Sequence, residues 1–143
     1  MMDFREKIIE AFRRNGFRAT PQRIVIAQAV LSSKDHPTAE QVFNHVTKTN
    51  PSISLSTVYN TLHTMRDVNM LQELAFGDNH RFDPNTRIHV NLVCRNCGAI
   101  IDIEDDIIEK EVVEISKKRR FTLTSQRFDV YGICRDCGKN NED

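Results

Sequence analysis

Residues 54–83 read SLSTVYNTLHTMRDVNMLQELAFGDNHRFD, and this stretch decides the fold of the first half of the chain. Its apolar residues first recur at steps of four, three and three, at Val58, Leu62, Met65 and Val68. That period predicts a helix from about Ser54 to Asn69 with one apolar face. Two strand-like runs, 71–76 and 80–82, follow it and are joined by Gly77-Asp78-Asn79, which is typical of a small hairpin. A helix followed by a hairpin predicts the last helix and the wing of a winged helix-turn-helix.

Three further helices are predicted upstream of this stretch. The first runs from Phe4 with apolar residues at helical spacing, and Gly16 supplies its C-terminal stop. The second begins at Thr20-Pro21, a capping residue followed by proline at the first helical position. The third begins with the capping box Thr38-Ala39-Glu40-Gln41, after a loop over residues 32–37.

The chain changes character downstream of the hairpin. Residues 84–88 resemble a hinge, and β-like runs follow at Val90 to Cys94 and Ala99 to Ile103. Asp105 to Arg119 is predicted to be helical, and Phe121 to Cys134 to form one long or two short strands.

The predicted fold class is therefore α+β. A winged helix-turn-helix occupies residues 1–83, a hinge occupies 84–88, and an α/β domain occupies 89–143. Domains this small have marginal hydrophobic cores, so we expect the second one to need a metal or a partner subunit for stability.

Composition restricts the function classes. The 143 residues carry 20 basic and 20 acidic side chains, which excludes a globally basic nucleic-acid binder but not a locally basic one. The first 34 residues alone hold seven cations against three acids, or +4. The sequence shows no apolar run of about 20 residues and no secretory signal, so we expect a cytoplasmic chain that does not enter a membrane.

Two near-identical cysteine pairs stand 36 residues apart, Cys94-Arg95-Asn96-Cys97-Gly98 and Cys134-Arg135-Asp136-Cys137-Gly138. Two such turns supply four thiolates to one tetrahedral Zn²⁺, a Zn(Cys)4 site. The alternative is a dithiol redox centre, which requires one pair to open a helix in a βαβ unit. Four thiolates leave no open position for water, so we expect structural zinc and no enzyme activity.

Several motifs occur together across nearly the whole chain. They are Thr20-Pro21-Gln22-Arg23, His36-Pro37-Thr38-Ala39, Ser56-Thr57-Val58-Tyr59-Asn60, Arg81-Phe82-Asp83 and the two cysteine pairs. In order and spacing they resemble the ferric uptake regulator (Fur) family of metal-dependent repressors. The resemblance implies a homodimer whose N-terminal winged helix binds DNA and whose C-terminal α/β domain dimerises.

The resemblance also implies a regulatory metal site near the hinge. The matching positions are His36, Asp83, His89, Asn91 and Asp102. Asp83 follows Arg-Phe, where the iron-sensing branch usually has Glu, and this aspartate is similar to the peroxide-responsive repressor (PerR) branch. Asn91 departs from that branch, which has a second histidine there. Two imidazoles and two carboxylates suit Fe²⁺ or Mn²⁺, and Asn91 would offer a neutral carbonyl oxygen or leave the site four-coordinate.

These residues also have ordinary interpretations. His36 fits a loop residue, Asp83 a turn carboxylate and Asp102 the solvent face of a strand. The pattern does not decide whether Asn91 is a ligand. His80 is an alternative ligand, although a histidine on the surface of the wing is the simpler interpretation of that residue.

The resulting functional hypothesis is a metal-dependent transcriptional repressor that senses peroxide. Bound metal would favour one angle between the domains, at which both recognition helices of the dimer reach DNA. The resemblance implies that Fe²⁺ reduces peroxide and that His36 or His89 is then oxidised, whereas Mn²⁺ resists. The alternative is a plain divalent-metal (iron) uptake regulator without peroxide sensing.

Candidate DNA contacts fall on the winged helix. Arg18 and Arg23 flank the start of the second helix and are candidates for phosphate contacts. Base-edge candidates on the polar face of the last helix are Ser56, Thr57, Tyr59, Asn60 and His63. Asn60 suits adenine and Tyr59 suits a thymine methyl group, which favours an A·T-rich palindromic operator in double-stranded DNA. A winged helix that binds protein is the alternative.

Overall fold

The computed structural model describes residues 1–139 and forms two compact units, Met1–Thr86 and Arg87–Asp143. The N-terminal unit contains α1 (Phe4–Arg14), α2 (Pro21–Leu31), α3 (Ala39–Val46), α4 (Leu55–Asp67), β1 (Gln72–Phe76) and β2 (Asn79–Asp83). The C-terminal unit contains β3 (Val90–Cys94), β4 (Ile100–Ile103), α5 (Asp106–Lys118), β5 (Phe128–Gly132) and α6 (Arg135–Gly138). This combination confirms the predicted α+β class. The last four positions of the predicted domain 89–143 lie outside the described residues.

The helices of the N-terminal unit begin where their capping residues predict. Thr20 Oγ1 accepts a hydrogen bond from the Arg23 N–H at 3.3 Å, at the start of α2. At the start of α3, Thr38 and Gln41 exchange the two hydrogen bonds of a capping box, at 2.9 and 3.2 Å. Gly16 ends α1 with φ +81°, a backbone conformation that glycine adopts without steric cost.

The core of the N-terminal unit forms around α4. Its predicted apolar face is buried at Val58, Leu62 and Met65, while Val68 is only half-buried. The side chains packed with it include Phe12, Ile26, Val30, Val42 and Phe82. Each fully buried aliphatic or aromatic side chain stabilises the fold by about 1.5–3 kcal/mol. Packing on this side leaves the opposite face of α4 available for a partner.

The hairpin has a tighter turn than predicted. β1 and β2 pair antiparallel with Phe76 opposite Asn79, so the connection is the two-residue turn Gly77-Asp78 and not the three residues expected. Gly77 has φ +62°, and glycine in the first position of a two-residue turn matches the twist of the flanking strands.

The C-terminal unit holds a three-stranded sheet in the order β4-β3-β5, with β4 antiparallel and β5 parallel to the central β3. The expected strand over Phe121 to Cys134 is shorter than predicted, since only Phe128–Gly132 is extended in the ladder. The reason is that β3 offers five positions, which pair with these five residues. Asp105 caps α5 by accepting from the N–H groups of Ile107 and Ile108. No helix within residues 1–139 has the length and apolarity needed to cross a bilayer.

Candidate metal centres and nucleic-acid interface

The four cysteine sulfurs lie together at one end of the C-terminal sheet. Because β3 and β5 run parallel, Cys94 at the end of β3 and Cys134 just after β5 leave the sheet on the same side. All four sulfurs lie within 4.8 Å of one another, and the Sγ atoms of Cys97 and Cys134 are 3.7 Å apart. Four thiols at this spacing form the donor set of a closed, tetrahedral zinc site.

Backbone N–H groups around the cluster favour a thiolate at Cys94. Hydrogen bonds from the backbone of Cys97 and then of Cys134, the latter at 3.3 Å, lower the pKa of the Cys94 thiol to about 6. At Cys137 a hydrogen bond with Asn96 acts to lower the pKa, but the neighbouring sulfurs, Cys134 foremost, prevail and raise it to about 12. A divalent cation among the sulfurs would hold all four as thiolates.

The two cysteine loops differ in backbone. Gly98 follows Cys97 with φ +76°, a backbone conformation that glycine adopts without steric cost, and the first loop turns back there. In the second loop Cys134 stands at the N-cap of α6, a single helical turn of four residues. The redox alternative requires a longer helix that crosses to a following parallel strand, and the described part of the chain after Cys134 holds only this turn.

His36 and Asp83 meet in the N-terminal unit. The His36 Nε2 lies 3.4 Å from the Asp83 Oδ2, and the two residues are only 6% and 1% exposed. The other oxygen of Asp83, Oδ1, accepts the backbone N–H of Asn85 at 2.9 Å. An imidazole beside a buried carboxylate is a donor pair that suits a borderline or hard divalent metal.

The motif Arg81-Phe82-Asp83 explains how His36 comes to this position. Phe82 is buried in the core and its N–H donates to the Pro37 carbonyl at 2.9 Å, which fixes the loop on β2. The Arg81 guanidinium donates through Nη2 to the Asp35 carbonyl at 2.7 Å and through Nε to the His36 carbonyl. His36 thereby keeps a φ of +49°, which is uncommon for a residue other than glycine.

His89, Asn91 and Asp102 meet in the C-terminal unit. Asn91 on β3 is directly opposite Asp102 on β4. The His89 Nδ1 lies 2.6 Å from the Arg87 carbonyl, which can only accept, so Nδ1 carries the proton. The His89 Nε2 then lies 3.1 Å from the Asn91 Oδ1 and 3.8 Å from the Asp102 Oδ1. A histidine whose Nδ1 is bonded to a carbonyl and whose Nε2 faces oxygen atoms is arranged as a metal ligand.

One residue beside this group was missed from the sequence. Asp129 on β5 accepts the Asn91 side-chain N–H at 3.2 Å, and Arg127 donates to its other oxygen at 2.8 Å. Burial acts to raise the pKa of Asp129, but the hydrogen bonds from Arg127 and Asn91 outweigh burial and lower it. The available signal was a single carboxylate between Phe128 and Val130 in a strand-like run.

The candidate DNA contacts differ in how far their side chains are exposed. Ser56 and Asn60 on α4 are exposed, and Thr57 is half-buried with its N–H bonded to the side chain of Ser54, the N-cap of α4. The phosphate candidates lie together, because the Arg23 guanidinium donates to the Arg18 carbonyl at 2.9 Å. All of the candidates reach the surface: Arg18, Ser56 and Asn60 are exposed, and Arg23, Thr57, Tyr59 and His63 are partly exposed.

Tyr59 is hydrogen-bonded to a carboxylate of the N-terminal unit, and His63 lies near another. The Tyr59 hydroxyl donates to Glu40 at 2.6 Å, and this hydrogen bond raises the pKa of the phenol. The Glu73 Oε1 lies 3.8 Å from the His63 Nε2 and 2.9 Å from the His80 Nδ1. His80 is exposed on the hairpin, where its neighbour is Glu73.

Comparisons with known proteins give the family and the fold of the chain. The model of the ferric uptake regulator family matches residues 14–131. The peroxide-responsive repressor PerR of Staphylococcus epidermidis is 36% identical over 134 residues, covering 92% of this chain and 89% of that protein. The ferric uptake regulator of Pseudomonas aeruginosa with manganese superposes with a TM-score of 0.78 at 26% identity, over 90% of this chain and 98% of that one. PerR of Streptococcus pyogenes, studied for peroxide sensing and gene regulation, superposes with a TM-score of 0.53 at 30% identity, over 95% and 94%.

Proposed function

We propose that this chain, which belongs to the ferric uptake regulator family of metal-dependent transcriptional regulators, is a cytoplasmic, homodimeric repressor that senses peroxide through a regulatory Fe²⁺ or Mn²⁺ site. One observation carries the proposal. Each unit gathers donors of the types that such a metal requires: the buried His36 and Asp83 in one unit, and the buried His89 and Asn91 with the half-buried Asp102 in the other.

The structural metal in this proposal is Zn²⁺ held by Cys94, Cys97, Cys134 and Cys137. The four sulfurs are close enough for one tetrahedral ion, and such a closed site contributes folding energy to a domain with a small core. A C-terminal unit without a large buried core is the kind of domain that depends on it, since most of its apolar side chains are exposed.

The regulatory metal would bind His36, Asp83, His89, Asn91 and Asp102. The first two residues precede the proposed hinge 84–88 and the other three follow it. One ion bound by both sets would restrict the hinge and so favour one arrangement of the DNA-binding domain (1–83) and the dimerisation domain (89–143). This coupling accounts for metal-dependent DNA binding without any metal contact to DNA.

Peroxide sensing is proposed from the residues around the imidazoles. Fe²⁺ held by these residues would supply one electron to hydrogen peroxide, leaving Fe³⁺, hydroxide and a hydroxyl radical beside the ligands. His36 and His89 are the oxidisable ligands, both are buried, and both are oriented by fixed hydrogen bonds or ion pairs. Asp83, in place of glutamate, matches the peroxide-responsive branch, and relatives that carry that name are 35–36% identical to the chain.

DNA recognition is proposed for the exposed N-terminal part of α4. Ser56, Thr57 and Asn60 would reach base edges in the major groove, while Arg18 and Arg23 would contact phosphates. Asn60 suits adenine, which favours an A·T-rich palindromic operator. Tyr59 and His63 are the further candidates, and Tyr59 would have to release its hydrogen bond to Glu40 before it could contact a base.

Dimerisation is supported by the sheet of the C-terminal unit. One face carries exposed apolar side chains, at Leu92, Ile101, Ile103, Phe128 and Val130. Register places Leu92 opposite Ile101 and beside Val130, so the side chains form one continuous patch. A patch of this kind marks a protein interface, and a second copy of the chain is the partner that the family implies.

A retardation assay tests the proposal. Zinc-loaded protein is mixed with A·T-rich promoter DNA with and without Mn²⁺. The wild type and His45→Ala, a change at an exposed histidine of α3, should retard the DNA only with Mn²⁺. His36→Ala should not retard the DNA even when Mn²⁺ is present. Equal retardation with and without Mn²⁺ would contradict metal-dependent binding, and no retardation under either condition would favour a zinc-stabilised chain whose winged helix binds protein.

A second function stays open because of Asn91. Its side chain supplies an amide oxygen where the peroxide-responsive branch has an imidazole. That substitution favours a plain divalent-metal regulator of the same family, without ligand oxidation. Exposure of the Fe²⁺ form to peroxide separates the two functions, because only a peroxide sensor gains oxygen on His36 or His89.

A further inference from the structure

The Asn91 amide has an orientation that its neighbours determine. A carboxylate accepts hydrogen bonds and does not donate them, so the Asp129 Oδ1 at 3.2 Å must face the amide nitrogen of Asn91. The amide oxygen consequently points the other way, to the His89 Nε2 at 3.1 Å. Asn91 is fully buried, which leaves it no alternative partner in solvent.

Asp129 is itself fixed on the opposite side. Arg127 donates to its Oδ2 through Nε at 2.8 Å and lies with Nη2 2.7 Å from the same oxygen. The Tyr131 hydroxyl donates to Oδ2 as well, at 3.1 Å. With Oδ2 engaged by these donors, Oδ1 is directed at Asn91. The parallel register sets Asn91 beside Asp129, so this arrangement follows from strand pairing.

The oriented amide places oxygen atoms around one nitrogen. The proton of His89 is on Nδ1, where it is donated to the Arg87 carbonyl. The His89 Nε2 therefore faces the amide oxygen of Asn91, and a carboxylate oxygen of Asp102 lies 3.8 Å away. One nitrogen and two oxygen atoms thus converge on one point, and a divalent cation that takes the place of any proton on Nε2 would be bound by all three.

We propose that Asp129 is a positioning residue for the regulatory metal site. Asp129 holds the Asn91 side chain so that its amide oxygen becomes a metal ligand beside His89. This inference rests on the proposed regulatory site, and it assigns a role to the residue that replaces the second histidine of the related branch. An amide oxygen is a harder donor than imidazole, so the arrangement favours Mn²⁺ over softer divalent metals.

Titration of the zinc-loaded dimer with Mn²⁺, followed by the electron paramagnetic resonance signal of the free ion, tests the role of Asp129. Asn91→Ala and Asp129→Asn should each weaken Mn²⁺ binding about tenfold or more. The double variant should bind as weakly as Asn91→Ala alone, because Asp129 acts through Asn91. Glu111→Gln removes the same charge from an exposed position on α5 and should leave the affinity unchanged.

Two results would overturn the inference. One is an Asp129→Asn variant that binds Mn²⁺ like the wild type. The other is an equal further loss when Asp129→Asn is added to Asn91→Ala, since Asp129 would then act directly or by charge alone. A wild type that binds no Mn²⁺ beside its zinc would instead refute the proposed function.

Two measurements verify that each variant is folded. They are its zinc content and its thermal unfolding midpoint, measured before Mn²⁺ is added. If Asp129→Asn fails this check, Arg127→Gln takes its place, because it loosens Asp129 and keeps the carboxylate. Its loss of affinity should likewise vanish in the Asn91→Ala background, and a loss that persists there would contradict the assignment.

Discussion

His36 shows how a single residue position is stabilised by its neighbours. Its left-handed backbone, with φ +49°, costs of the order of 1–3 kcal/mol for a residue other than glycine and persists only where surrounding contacts fix it. The contacts are the two hydrogen bonds from Arg81 and the one from the Phe82 N–H. Arg81 therefore fixes the loop that carries His36, although it is not among the proposed ligands.

Removal of Arg81 tests this dependence. Arg81→Ala should weaken Mn²⁺ binding about tenfold, because the loop that carries His36 loses two of its anchors. Isothermal titration of the zinc-loaded protein measures the change. Arg13→Ala, at an exposed residue in the last turn of α1, is the control and should bind Mn²⁺ as the wild type does. Equal affinities for the two variants would show that Arg81 has no influence.

The exposed residues of the winged helix separate base contacts from phosphate contacts. Asn60→Ala should cost about 1–3 kcal/mol on the operator and little on unrelated DNA, because an adenine contact is lost. Arg18→Ala should weaken binding to every sequence alike and reduce the slope of log K against log [salt] by about 1. Fluorescence anisotropy at several salt concentrations measures both. A uniform loss for Asn60→Ala would exclude it from base recognition.

Helix ends and strand ends were not equally predictable. The starts of α2 and α3 are determined by Thr20 and Thr38, whose hydrogen bonds span three residues and are visible in the local sequence. The extent of β5 depends on the length of β3, a partner almost 40 positions away in the chain, so the pattern from Phe121 onwards overestimated it. The same separation along the chain concealed the contact of Asn91 with Asp129. The candidate metal ligands could be named without knowledge of strand pairing, because family resemblance implied their positions.

The hairpin is connected to α4 through one carboxylate. Burial acts to raise the pKa of Glu73, but the hydrogen bonds from Arg66 and His80 prevail and lower it from 4.5. A carboxyl whose pKa is lower in the folded state contributes stability above its unfolded pKa and loses that contribution as the pH falls through the folded value. The link between wing and helix should therefore weaken under acid conditions.

Glu73→Gln measures the strength of that link. At pH 7 it should lower the free energy of unfolding by about 1 kcal/mol, a discounted figure because Arg66 is partly exposed. The difference from wild type should shrink as the pH falls below 4.5. Urea unfolding at a series of pH values provides the comparison. Glu111→Gln is the control, because any loss of unfolding free energy that zinc release causes at low pH should be the same in this variant. A difference that stays constant with pH would refute the role of the Glu73 charge.

At the scale of the whole molecule, the net charge of zero is the sum of a basic N-terminal stretch and an acidic remainder. The first 34 residues carry +4, and the remainder is correspondingly acidic. Non-specific attraction to DNA is therefore limited, so specific binding would depend on geometry that a metal sets. Zinc and subunit association would compensate for two small cores.

Dimerisation should depend on the exposed apolar face of the C-terminal sheet. Val130→Asp places a charge within that patch, beside the central Leu92, and should convert the dimer to a monomer without loss of zinc. Sedimentation velocity and metal analysis check the two parts of the outcome. Asp136→Asn, in the exposed turn between Cys134 and Cys137, should remain dimeric. A dimer that survives Val130→Asp would place the interface elsewhere.

The central claim is peroxide sensing through the regulatory metal, and mass spectrometry of the metal-loaded dimer tests it most directly. After hydrogen peroxide is added to the Fe²⁺ form, peptides that contain His36 or His89 should gain one oxygen atom, and the protein should release its operator. The Mn²⁺ form should show neither change under the same treatment. Absence of added oxygen on both histidines in the Fe²⁺ form, with the operator still bound, would contradict the account and leave a plain metal regulator.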